Sequence, residues 1–304
     1  MKAVCVRPTP LHWDMRLFTD FTEDTDLDFY RQGAEGRVFT SIHRIDGVRY
    51  AIKQVMVRER NLAAVIRECR LLATLHHPNI IRYHNCWLGP QLTPKRHSGA
   101  AAAEDQSPGE WSLSSSSLVQ HGGEVLTVIE PKSEMRIPLS LHVQMEFCPE
   151  TMRERLRDKE WPSWSERFEW AMQLCRGLVL VHSHNVCHGD IKSSNLLLSG
   201  QQVVKIADFG MTTVPSYGTV PYSAPEQSQE GVPSTAADVY AVGILLVELT
   251  HPYSTDMERS RHLQAVKEDC SNQPPLVQAC LSTIPLNRPT ARQLLAGLEK
   301  MADR

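Results

Sequence analysis

The feature that most restricts how this chain can fold is the order in which a few charged and amide residues recur between Lys53 and Arg288. His188-Gly189-Asp190-Ile191-Lys192-Ser193-Ser194-Asn195 is followed by Asp208-Phe209-Gly210 and then by Ala224-Pro225-Glu226. Upstream, Lys53 ends the strand-like run Tyr50-Ala51-Ile52-Lys53, and Glu68 lies in a stretch of helical periodicity. Each piece alone says little, since Asp-Phe-Gly is most often a turn and a single Lys in a strand is most often a solvated edge residue. The ordered conjunction is far more specific than any of its parts.

The 304 residues, 41% of them hydrophobic, can bury a sizeable core and suit one two-lobed domain or two small ones. A net charge of -3 gives no electrostatic footprint for nucleic acid, so direct nucleic-acid binding is not expected. Eight cysteines, at positions 5, 69, 86, 148, 175, 187, 270 and 280, stand singly without a CxxC pair and read as reduced thiols. The longest apolar run, Val239 to Leu249, is too short to span a bilayer, and the first residues lack the apolar core of a signal peptide. The expectation is a soluble cytoplasmic protein with no membrane partner.

From Tyr30 to Val57 the pattern is that of paired strands, with turns at Gly33 to Gly36 and at Asp46-Gly47. Asn61 to Leu75 places Leu62, Val65, Ile66, Cys69, Leu72 and Leu75 at helical spacing, and His77-Pro78-Asn79 ends that helix. A Ser-, Ala- and Gly-rich tract over about 89–138 offers little to a packed core and reads as a mostly mobile insert. Leu141 to Phe147 is a further strand candidate, and helical patterns dominate over Phe168 to Val181, Asp238 to Leu249 and Ala291 to Met301. The organisation expected is α+β: an N-terminal segment 1–24, a small β-rich lobe 25–148 that carries the insert, and a larger, mainly helical lobe 149–304.

The ordered motifs resemble the catalytic loop, metal-binding motif and activation-segment anchor of protein kinases. The resemblance implies ATP and Mg²⁺ as cofactors and a role for each residue. Lys53 contacts the α and β phosphates and pairs with Glu68, Asp190 accepts the proton of the substrate hydroxyl, and Lys192 steadies the γ phosphate. Asn195 and Asp208 ligate the metal. Gly33, Gly36, Val38, Ala51, Met145, Glu146, Cys148 and Leu197 form the nucleotide pocket, with Glu146 and Cys148 offering backbone groups to adenine. Glu226 pairs with Arg288, and Asp238 braces the catalytic loop. Lys192 resembles the Ser/Thr-directed rather than the Tyr-directed enzymes.

Outside these motifs the chain resembles the kinases of the translation initiation factor 2 α subunit. The likeness is carried by His43-Arg44-Ile45-Asp46-Gly47, by Val143-Gln144-Met145-Glu146-Phe147-Cys148, by Gln227 after Ala-Pro-Glu, and by Pro252-Tyr253-Ser254-Thr255-Asp256-Met257-Glu258-Arg259. It implies that α subunit as protein substrate and restraint of translation as outcome. Arg16 and Asp20 resemble the family's dimerisation pair, which implies a back-to-back homodimer.

Five departures stand out. Arg31 occupies the first glycine position of GxGxxG, and Gly189 replaces the arginine that in many kinases receives an activation-loop phosphate. The segment from Asp208 to Ala224 is short and has Val214 where relatives carry a phosphorylated Thr, which predicts activity without phosphate there. Thr219 is read mainly as part of the substrate-facing turn and as a regulatory candidate, and Ser216 and Tyr217 are the alternative phosphorylation sites. Gln264 replaces a Thr of the docking helix, and the ends of the chain offer no room for the large sensory domains of relatives, so the activating signal is not legible. Two other functions fit the same residues: an active kinase with a different, cell-cycle-type substrate, and a pseudokinase scaffold, to which Arg31 and Gly189 point.

Overall fold

The structure is a computed structural model that describes residues 28–32, 36–57, 66, 69–89, 117–121, 124–128, 140–209, 221–230 and 234–302. Its first half builds a five-stranded antiparallel sheet from β1 (Asp28–Gln32), β2 (Arg37–Ile42), β3 (Arg49–Met56), β4 (Tyr83–Gly89) and β7 (Ser140–Glu146). The strand order is β1-β2-β3-β7-β4. β3 and β7 are buried on both faces over most of their length, so that Lys53 and Gln54 in β3 and His142 and Gln144 in β7 are enclosed along with their apolar neighbours. The β2–β3 hairpin turns at Gly47, whose φ of +67° suits a residue without Cβ. Asp46 fastens that turn by accepting the Val48 N–H at 2.8 Å and the Tyr50 hydroxyl at 2.9 Å.

β1 is irregular. Phe29 faces Phe39 and Arg31 faces Val38, so Tyr30 is an extra residue in the strand, a bulge that re-aims its own side chain and its neighbour's.

Residues 69–74 are helical and bury Cys69 and Leu72 against the sheet, with Leu75, Ile80 and Ile81 enclosed directly after them. Ile80 then makes a parallel bridge to Ile206 of the second half. The Ile81 N–H donates to Ile206 O at 3.0 Å, the Ile206 N–H to Asn79 O at 2.9 Å, and the Asn79 side chain to Val204 O at 3.1 Å.

Within the 89–138 tract two described strands, β5 (Ser117–His121) and β6 (Glu124–Val128), pair antiparallel with each other.

The second half begins with β8 (Glu150–Thr151), which joins β9 (Leu196–Leu198) and β10 (Val204–Ile206) in a small sheet of order β10-β9-β8. Its helices are α1 (Met152–Arg155), α2 (Trp164–Ser183), α3 (Pro225–Glu230), α4 (Thr235–Glu248), α5 (Asp256–Glu268), α6 (Pro275–Cys280) and α7 (Ala291–Ala302). α4 is apolar around nearly its whole circumference and is buried from Ala237 to Leu245, as befits a helix at the centre of a domain. α2 starts at a capping box in which Ser163 and Glu166 satisfy each other's backbone N–H, and α1 starts at another formed by Thr151 and Glu154. The chain thus adopts the two-lobed α+β architecture expected from its sequence. No described helix is long and apolar enough to cross a membrane.

Candidate active site

A cleft of about 420 Å³ opens between the two parts and is lined by β2, β3, β7 and β9 together with the loop after His188. Its apolar walls are Val38, Ala51, Met145 and Leu197, and Cys148 lies at the segment joining the lobes. Gly36 belongs to the same wall: a Cβ there would stand 2.1 Å from Gln54 O, so no other residue fits without moving β3. Glu146 turns its carboxylate out of the cleft, accepting the Arg82 N–H at 2.7 Å and pairing with Lys205 at 2.9 Å. Burial pushes the Cys148 thiol up to about 12, so it stays protonated.

The polar floor comes from two loops of the second half and one strand of the first. Lys53, 5% exposed in β3, donates to Asp208 Oδ1 at 2.9 Å. Desolvation pushes the Asp208 carboxyl upward, but the Lys53 ammonium and its hydrogen bond outweigh this and hold it below the usual carboxylate range. Asp208 is therefore anionic. It takes a left-handed conformation, φ +55°, which Asp and Asn tolerate better than most residues.

Across the floor, Lys192 Nζ donates to Asp190 Oδ2 at 2.5 Å, and the Asn195 amide donates to both Asp190 O and Oδ2 at 2.9 Å. Committing its NH₂ group in this way leaves the Asn195 amide oxygen as an acceptor. The arrangement offers one carboxylate in a polar cradle, a second beside a buried ammonium, and an amide oxygen between. Such a set can take up a proton and hold a cation near an anionic ligand.

Asp238, buried at the start of α4, positions the loop that carries these groups. It accepts the N–H groups of His188 and Gly189 at 2.8 Å each, and His182 Nε2 donates to it at 2.8 Å. The His188 ring donates from Nε2 to Ala207 O at 2.9 Å while its Nδ1 accepts the Asp190 N–H at 3.2 Å, which fixes the tautomer. Gly189 sits at φ +82° with its N–H committed to Asp238, a conformation that glycine adopts without steric cost. Gly189→Ala should therefore cost about 1–2 kcal/mol of stability, the price of a left-handed L-residue, measured by urea denaturation.

Sequence reasoning did not single out a second cluster beneath the same loop. The hydroxyl of Ser193, fully buried, lies 3.1 Å from Tyr222 Oη and donates to Glu248 Oε1 at 3.0 Å, and Arg259 of α5 donates to both Tyr222 (3.1 Å) and Glu248 (3.2 Å). Tyr222 also donates to Glu248. Four residues separated in sequence carry no local pattern from which this contact could be inferred. Glu226 and Arg288 form a bidentate pair at 2.6 and 2.8 Å. Of the other sequence-predicted residues, Gly33, Glu68, Thr219, Ser216, Tyr217, Arg16 and Asp20 lie outside the described residues.

The Protein kinase domain family matches residues 119–297, more than half of the chain. The chain belongs to the protein kinase family. It is 29% identical over 304 residues to the mouse interferon-induced, double-stranded RNA-activated protein kinase, across 94% of this chain and 52% of that protein. It is 26% identical to the eIF-2-alpha kinase GCN2 of Arabidopsis thaliana over 92% of this chain and 25% of the relative, and 22% identical to mouse eukaryotic translation initiation factor 2-alpha kinase 1 over 95% and 69%. Two of these three relatives are named as kinases of the initiation factor 2 α subunit. The chain spans about half the length of the first of these relatives and a quarter of the second.

Proposed function

We propose that this chain transfers the γ-phosphoryl group of ATP to a Ser or Thr hydroxyl of a protein, and that the protein is the α subunit of translation initiation factor 2. The observation that carries the reading is the meeting, in one cleft, of the Lys53–Asp208 ion pair with Asp190, Lys192 and Asn195. Magnesium-bound ATP supplies the electrophilic phosphorus. Lys53 neutralises phosphate charge, Asp190 takes the hydroxyl proton, Lys192 offers a cation to the transferring group, and the apolar walls hold the purine. Asp208 and the Asn195 amide oxygen would hold Mg²⁺. Among the described residues no larger group of His, Cys, Asp and Glu gathers for a metal, which suits a hard cation whose remaining ligands are phosphate oxygens and water. The role of Glu68 as a partner of Lys53, a back-to-back homodimer through Arg16 and Asp20, and cytoplasmic action belong to the same proposal.

The test is a phosphorylation assay on the purified α subunit beside a generic basic protein, with Lys53→Arg as control. Labelling of the α subunit by the native chain and at least about a hundredfold less by the variant is the expected result. Labelling of the basic protein alone would leave a kinase with another substrate; labelling of neither would leave a scaffold. Prior phosphatase treatment should not lower the rate, because Gly189 provides no side chain to receive a loop phosphate.

A further inference from the structure

The bulge in β1 brings two side chains across the mouth of the cleft. The Tyr30 hydroxyl donates to Cys148 O at 3.2 Å and also reaches Pro149 O, in the segment that joins the lobes. Its ring meets Phe147 edge-on, with centroids 5.4 Å apart. Arg31 lies over the Tyr30 ring at 5.0 Å and grips the carboxylate of Glu154 in α1 with contacts of 3.0 and 2.8 Å. Glu154 is itself held, since its Oε2 accepts the N–H and the hydroxyl of Thr151 at 2.7 and 2.9 Å. Tyr30, Arg31, Cys148, Thr151 and Glu154 all line the cleft that holds Lys53 and Asp208.

We propose that Tyr30, Arg31 and Glu154 form a clasp over the nucleotide cleft, which must open for a purine nucleotide to enter or leave and so sets the exchange rate. The proposal rests on the cleft being the nucleotide site. A glycine at position 31 would have neither the guanidinium to reach Glu154 nor a cation to place on Tyr30. The contacts are ones that a crossing ligand has to disturb: a charged pair with 30% and 52% of its side chains exposed, and a hydroxyl on a backbone carbonyl at the lobe junction. All three residues are positioning residues, since they tie one wall of the cleft to the other and the reacting groups lie elsewhere.

The experiment is stopped-flow binding and displacement of a fluorescent ribose-labelled ATP with Mg²⁺, on the native chain and on Tyr30→Phe, Arg31→Met, Glu154→Gln and the Arg31→Met/Glu154→Gln double variant. These changes preserve shape: Phe keeps the contact with Phe147, Met keeps the apolar stem in β1, and Gln still serves the capping box at Thr151. Association and dissociation should both quicken, by about three- to tenfold for each single variant, as loss of one modest polar contact from the closed state implies. The dissociation constant should stay within about twofold, and the double variant should match either single one because both break the same pair. Unchanged rates would overturn the clasp. So would faster dissociation with an equally weakened affinity, since the residues would then hold the nucleotide directly. Absence of nucleotide binding to the native chain would overturn the cleft as nucleotide site, and the clasp with it.

Discussion

Replacing Asp208 by asparagine is expected to lower the phosphorylation rate by about a thousandfold or more while the chain remains folded. The fold should survive because Asn tolerates the left-handed backbone at this position, φ +55°, nearly as well as Asp, and its amide oxygen can still accept a hydrogen bond from Lys53. What is lost is a full negative charge. Lys53 holds the carboxylate ionised, and a neutral amide cannot offset a divalent cation beside phosphate oxygens. Charge stabilisation at the reacting centre is commonly the largest contribution to catalysis, and loss of even one neutral donor costs about a hundred- to a thousandfold. Single-turnover labelling of the protein substrate, read beside thermal unfolding of the same preparation, separates the two effects. A rate within tenfold of native with an unchanged melting temperature would remove Asp208 from the mechanism.

The largest effect on stability is expected at Arg288. Its side chain is wholly enclosed, with both carboxylate oxygens of Glu226 at 2.6 and 2.8 Å, Ala236 O at 3.0 Å, Ser282 O at 2.8 Å and the Tyr240 ring beneath it at 4.9 Å. Arg288→Ala leaves a carboxylate and two carbonyls without their donor and should cost about 3–5 kcal/mol, lowering the melting temperature by roughly 10 °C. Arg288→Lys should recover little, because an ammonium cannot reproduce the planar fork. Desolvation raises the Glu226 carboxyl, yet the Arg288 hydrogen bonds outweigh it, so its pKa in the folded chain lies below the ordinary 4.5. A depressed carboxyl pKa contributes stability that is complete above the unfolded value and is lost as the pH falls through the folded one. Stability below pH 4.5 should therefore decline less steeply in the variant than in the native chain. Equal melting temperatures for the two proteins would show that the pair is ornamental.

Much of this architecture could be read in advance because it rests on period and order. The apolar spacing of Phe168 to Val181 and of Asp238 to Leu249 falls within α2 and across α4, and Lys53, Asp190, Lys192, Asn195 and Asp208 stand around one cleft. What could not be read depends on geometry between distant segments. Arg31 looked like a defect in a glycine motif, and only the bulge at Tyr30 shows which way it faces. Gly189 looked like a missing phosphate receptor. Its φ of +82° and its bond to Asp238 add a backbone preference that no residue count could reveal. The Ser193–Tyr222–Glu248–Arg259 cluster was equally hidden, because its members come from a short 3-10 turn, a second turn and two helices.

The bridge between Ile80 and Ile206 has a mechanical consequence. Ile206 precedes Asp208 by two residues, and its backbone is stitched on both sides to Asn79 and Ile81, which follow the helical residues 69–74. The segment that follows that helix and the strand leading to Asp208 are therefore tied backbone to backbone, even though they belong to different lobes. The place of the carboxylate that faces Lys53 is thus set, two residues upstream, by backbone contacts with the first lobe.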